Sequence, residues 1–144
     1  MKKNIAKKEF QVPSLLSEVQ KTSDKVLFFL KPLTLSETFL FDVRLCLEEA
    51  LINAIKYGNQ LKKDLNVRLK VEYSSEEIRI AIEDQGEGFD PKRLKDCTQE
   101  DNLLKGSGRG VYLIHRLMDK VAYNARGNRL LMVKSLKKAA STSA

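Results

Sequence analysis

Along the chain, stretches in which apolar and polar residues alternate give way to stretches in which apolar residues recur every three or four positions, the periods of strands and helices. "KEFQVP" alternates and reads as a short strand ended by Pro13. Ser14 is then placed to cap a helix whose apolar residues Leu15, Leu16, Val19, Val26, Leu27 and Leu30 keep helical spacing. "KPLTLSE" interrupts it. Thr34 followed by Glu37 has the pattern of a capping box, and a second helix is expected from Ser36 to Tyr57. Its apolar face is Leu40, Val43, Leu47, Ala50, Leu51 and Ala54, and Gly58-Asn59 is its stop.

Alternation returns in "VRLKVEY", with Val67, Leu69, Val71 and Tyr73 on one face, and in "IRIAIED", with Ile78, Ile80 and Ile82. "SSEE" between them suits a hairpin. About 26 residues follow, "QGEGFDPKRLKDCTQEDNLLKGSGRG", rich in glycine, proline and charge. Loops of that length inside a compact domain are usually functional. "VYLIHRLMDK" is helical again through Val111, Ile114, Leu117 and Met118. A last hairpin, "VAYNARGNRLLMVKSL", turns at Arg126-Gly127-Asn128. The order predicts an α/β protein: a two-layer sandwich of a mixed, mostly antiparallel sheet with helices on one face. Residues 9–135 form a single domain in this reading, with 1–8 and 136–144 as basic flexible tails.

Composition changes this picture only at its edges. The formal net charge is +7, but Lys2, Lys3, Lys7 and Lys8 at one end and Lys134, Lys137 and Lys138 at the other account for it. Residues 9–133 hold equal numbers of basic and acidic side chains, so no direct nucleic-acid partner is expected. No apolar run approaches the roughly 18 residues of a membrane span, and the N-terminus lacks the apolar region of a signal peptide. A cytoplasmic location without membrane contact is expected. Cys46 and Cys97 lack the spacing of a zinc site and read as free thiols.

Three features suggest a phosphate-bearing ligand. Asp84 ends a strand and is followed by Gly86 and Gly88, so a carboxylate able to accept from an exocyclic amine sits beside a backbone that can bend closely around a ligand. Gly106, Gly108 and Gly110 come just before a helix, where N–H groups converge on an anion, and Lys105 and Arg109 add full positive charges. In "EEALINAIKYGN", Glu49 and Asn53 are four apart and share one helix face. A carboxylate there can take a proton from a hydroxyl, and an amide oxygen can bind Mg2+ without cancelling its charge. Taken singly, each has an ordinary reading as a turn, a hinge or a solvated face.

In this order, "EALINA", "EDQGEGFDP" and "GSGRGVYLIHRLMD" resemble the N, G1 and G2 boxes of the Bergerat-fold (GHKL) ATPases, the superfamily of gyrase, Hsp90, histidine kinases and mismatch-repair ATPases. The small size and "GRGVYLIHRLMD" are similar to the single-domain bacterial anti-sigma factor serine/threonine kinases. The resemblance implies ATP and Mg2+ as cofactors, with Asn53 as the metal ligand and Asp84 as the reader of the adenine amine. It places Gly86 and Gly88 at the G1 turn and Gly108 and Gly110 beside the phosphates, with Gly106 in the same loop. Residues from about 91 to 105 correspond to a lid over ATP. Glu49 matches the carboxylate proposed as general base, and Lys56 matches a lysine that approaches phosphate in histidine kinases. The implied activity is a protein serine/threonine kinase acting as an anti-sigma factor. Its implied partners are a STAS-domain antagonist as substrate, a sigma factor that it sequesters, and a second copy of itself. The alternative is an ATP-binding partner switch without kinase activity. Two positions depart from the family pattern: Tyr57-Gly58 stands where many members have His-Gly, and Gly127-Asn128 where many have Gly-Thr. Asn128 is assigned no role, and His115, the only histidine, falls inside a helix and is not expected to accept phosphate.

Overall fold

The computed structural model describes residues 4–86 and 106–136, with backbone alone for 106–109. The elements are β1 (Ala6–Pro13), α1 (Glu18–Phe29), a single 3-10 turn (Lys31–Leu33), α2 (Glu37–Asn53), a π turn (Ala54–Gly58), β2 (Asn66–Tyr73), β3 (Glu77–Glu83), α3 (Gly106–Leu117), β4 (Lys120–Tyr123) and β5 (Arg129–Ser135). The sheet runs in the order β1-β2-β3-β5-β4, and every pairing among the described residues is antiparallel. Register is fixed by the apolar alternation. Val12 faces Val67, Leu69 faces Ile82, and Ile80 faces Met132, so one sheet face is buried.

The helices cover that face. α2 lies between α1 and α3 and touches both, which is why Phe39, Val43, Cys46, Leu47, Ala50 and Leu51 are all buried, a wider stripe than one packing partner would require. Burial also pushes the Cys46 thiol up to about 12, so it behaves as a small hydrophobe.

Several expectations are corrected at the edges of elements. Ser14 does not cap α1, which begins at Glu18. It is wholly buried, and its Oγ donates to the Leu65 carbonyl at 2.6 Å while accepting from Asn59 Nδ2 at 2.9 Å. A buried hydroxyl is held where it finds both partners, and here those lie in the connection before β2 rather than at the helix. Leu15 and Leu16 consequently sit in the turn and are exposed. Ser36 caps α2, accepting from the Phe39 N–H at 3.1 Å, whereas Thr34 sits in the left-handed region and its hydroxyl donates to the Leu33 carbonyl. β1 begins at Ala6, so Lys7 and Lys8 belong to a strand paired with β2 and not to a tail. The glycine segment expected ahead of a helix is already helical from Gly106, although glycine itself disfavours helix. The tail residues beyond 136, Cys97 and the lid segment lie outside the described residues.

Asn59, read from sequence as part of a helix stop, is a buried tie between distant segments. Its Nδ2 donates to Ser14 Oγ and to the Asn66 carbonyl at 3.1 Å, and its Oδ1 accepts from the Gln85 N–H at 2.7 Å. Asn59→Ala leaves these groups unpaired and is expected to cost about 2–4 kcal/mol. Urea unfolding checks this as a lowered midpoint at unchanged slope.

Candidate functional site

Three segments meet at the C-terminal end of α2. The helix brings Glu49 and Asn53 there one turn apart, and the π turn that follows carries Tyr57 and Gly58 past the end of β3. Insertions of this kind in α-helices occur often at functional sites, because they re-aim the side chains that follow. The approach is close enough to require glycine. A Cβ on Gly58 would strike the carboxylate of Asp84, and one on Gly86 would strike the Gly58 carbonyl. On α3, a Cβ on Gly110 would lie 2.6 Å from Glu49 Oε2. These glycines make room for the two carboxylates the sequence singles out.

Between these segments and the β4–β5 hairpin lies a cleft of about 250 Å3. Ala50, Ala54, Ile82, Val111 and Leu130 give it apolar walls, and Asn53, Asp84 and Asn128 supply side-chain polar groups. Asp84 is buried, and its Oδ1 accepts from the Gly86 N–H at 2.9 Å. Burial raises the Asp84 pKa above the usual carboxylate value; the Gly86 N–H and the charge of Arg126 oppose the shift. Arg126 also donates to the Gly86 carbonyl at 2.9 Å, tying the hairpin to the turn after Asp84.

Of the residues expected from sequence, Asn53 and Asp84 line this one cleft although 31 positions separate them. Glu49 lies one turn before Asn53, outside the lining, against Gly110. Gly86 backs Asp84. Lys56 is exposed, with its Nζ 5.5 Å from the centre of the Tyr57 ring, and does not line the cleft. Gly106, Gly108 and Arg109 fall in the first turns of α3. Gly88 and Lys105 lie outside the described residues. His115 is on the solvent side of α3, away from the cleft.

Asn128 and Asn59 were not assigned functional roles from sequence. Asn128 exchanges backbone and side-chain bonds with Asp84, and Asn59 holds the next N–H. A lone amide in a turn carries no periodic signal, so neither could be picked out by spacing.

A cleft with apolar walls and a buried carboxylate acceptor can take a planar base bearing an exocyclic amine. Among the described residues no group of three or more His, Cys, Asp or Glu could hold a metal. Asn53, which lines the cleft, offers an uncharged oxygen of the kind Mg2+ accepts when phosphates supply most of its other ligands. No helix among the described residues is long and apolar enough to cross a membrane.

Comparison with known proteins agrees with this geometry. Residues 12–134 match the family model of the histidine kinase-like ATPase domain. The serine-protein kinase RsbW of Staphylococcus epidermidis is 31% identical over 105 residues, covering 67% of this chain and 66% of that protein. The serine-protein kinase RsbW of Staphylococcus aureus strain bovine RF122 / ET3-1 is 30% identical over the same length, with the same coverage. The chain thus spans 66% of the length of these relatives. The family match runs from the last residues of β1 through all but the end of β5 and includes Glu49, Asn53, Asp84 and Gly110, so the chain belongs to the family of histidine kinase-like ATPase domains.

Proposed function

We propose that this chain is an ATP-dependent protein serine/threonine kinase that acts as an anti-sigma factor. It would phosphorylate a STAS-domain antagonist and sequester a sigma factor, working in the cytoplasm as a homodimer. The observation that carries the enzymatic reading is Glu49, one helical turn from the cleft-lining Asn53 and given room by Gly110. The name of the staphylococcal relatives supports the same reading.

In this reading Asp84 accepts from the adenine amine, and the apolar walls exclude water from the base. Asn53 holds Mg2+, which neutralises phosphate charge when bound. Glu49 accepts the proton of a substrate serine or threonine hydroxyl as its oxygen bonds to the γ-phosphorus, the bond to the bridging oxygen breaks, and ADP leaves. Gly106, Gly108 and Gly110 bring the α3 N-terminus close to the phosphates, with Arg109 and Lys105 adding charge. Lys56, exposed beside Tyr57, is free to reach phosphate only at the mouth of the cleft.

The test is incubation with ATP labelled at the γ-phosphate, Mg2+ and candidate STAS proteins, using wild type, Glu49→Ala and Asn53→Ala. Label on the STAS protein with wild type alone supports the kinase. ATP binding without transfer to any cognate STAS protein would leave a binding-only switch.

Gly58→Ala probes the base pocket without touching the catalytic carboxylate. Its Cβ would overlap the Asp84 side chain, so Asp84 has to shift within its buried site, and circular dichroism first checks that the variant is folded. ATP affinity should fall by about tenfold or more, the loss of a hydrogen bond to a charged group, as read by calorimetric titration.

A further inference from the structure

The β3–β5 ladder ends at the pair Glu83–Arg129, and Asp84 is the first residue beyond it. A strand end at such a position ordinarily frays, yet Asp84 must aim its carboxylate into the cleft. Asn128 supplies what the ladder lacks. Its backbone carbonyl accepts from the Asp84 N–H at 2.9 Å, and its Nδ2 donates to the Asp84 carbonyl at 3.1 Å. On the next peptide, Asn59 Oδ1 takes the Gln85 N–H. The backbone around Asp84 is therefore held from two sides by amides that lie far from it in sequence.

The orientation of the Asn128 amide is itself fixed. Asn124 Nδ2 donates to Asn128 Oδ1 at 2.8 Å, which turns the Asn128 NH2 toward Asp84. The hairpin turn does not depend on that NH2. It is closed by Asn124 Oδ1, which accepts from the N–H groups of Gly127, Asn128 and Arg129, and by Gly127 at φ 80°. The Asn128 NH2 points out of the turn, toward the backbone of Asp84, the carboxylate among the cleft-lining residues.

We infer that Asn128 is a positioning residue for base recognition, holding the Asp84 peptide so that the carboxylate meets the exocyclic amine of adenine. This rests on the cleft being an adenine-nucleotide site. The role goes beyond a turn: it sets selectivity between a purine with an amine and one with a carbonyl at the same position. The carbonyl of guanine would face the acceptor Asp84 and gain nothing from its correct aim.

The experiment compares ATP and GTP affinities, by displacement of a fluorescent ATP analogue, for wild type, Asn128→Ala and Asn128→Asp. The aspartate variant keeps the size and the acceptor for Asn124 but lacks the donor to Asp84, so a role in turn shape alone would leave it like wild type. Comparing the two nucleotides cancels the effect of the added charge on the triphosphate they share, and Asn128→Ala, which adds no charge, controls for its effect at the base. Both variants should lose about tenfold in ATP affinity relative to GTP, the scale of one buried hydrogen bond, while remaining folded by circular dichroism. Should either folded variant keep the wild-type ATP-to-GTP ratio, the inference is overturned while the nucleotide site stands. A wild-type chain that binds neither nucleotide would overturn both.

Discussion

Glu49→Ala should lower the rate of phosphotransfer by about a hundred- to ten-thousand-fold, the range for removal of a general base. ATP affinity should stay within a few-fold of wild type. The separation follows from position. Glu49 is on the same face of α2 as Asn53 but outside the lining of the base cleft, so truncating it removes no contact with the base. Folding should also tolerate the change, since Glu49 is only half-buried and abuts a glycine. Glu49→Gln keeps the shape and removes the basicity, and it should be nearly as slow. Single-turnover transfer at saturating ATP, with affinity measured separately, reads both quantities. Equal loss of affinity and rate would move Glu49 into nucleotide binding.

Asp84→Asn, inside the cleft, should do the reverse. A hydrogen bond to a charged group contributes about 1.5–3 kcal/mol, so ATP affinity should fall by about ten- to a hundredfold. Stability should not fall with it. The folded-state pKa of Asp84 is raised, chiefly by burial, so the native state holds its proton to higher pH than the unfolded chain does. The stability associated with that proton is fully present below the unfolded carboxylate pKa and is lost as pH rises through the folded value. At neutral pH the buried charge is a cost to the nucleotide-free protein. Asp84→Asn removes that cost and can still accept from the Gly86 N–H, so its thermal midpoint at neutral pH should equal or exceed that of wild type. Wild-type ATP binding should also weaken as acid protonates Asp84. The Asn variant should lack that component of the pH profile.

That Asn53 and Glu49 share one helix face was legible from helical spacing, but spacing alone fits a solvated face equally well, and it was the order of the three motifs together that singled the pair out. The strands of the sheet were legible through alternation, which Val67, Leu69, Val71 and the three isoleucines of β3 keep without a break. The rest depended on contacts that leave no periodic trace. Ser14 looked like a cap because a serine after a strand-ending proline commonly is one, and only the fold shows Asn59 and the Leu65 carbonyl waiting for it. Asn128 looked like a turn residue, and it is one; its second use, on Asp84, joins positions 44 apart. The steric need for Gly58 was equally hidden, since a glycine ending a helix already has a sufficient local reason.

The measurement that bears most directly on the kinase reading is transfer of γ-labelled phosphate from ATP to a cognate STAS protein in the presence of Mg2+. The account predicts acid-stable label on a serine or threonine of the STAS protein, lost in Glu49→Ala at equal ATP occupancy. Acid-labile label retained on this chain at His115, or ATP bound with no phosphate transferred, would contradict it.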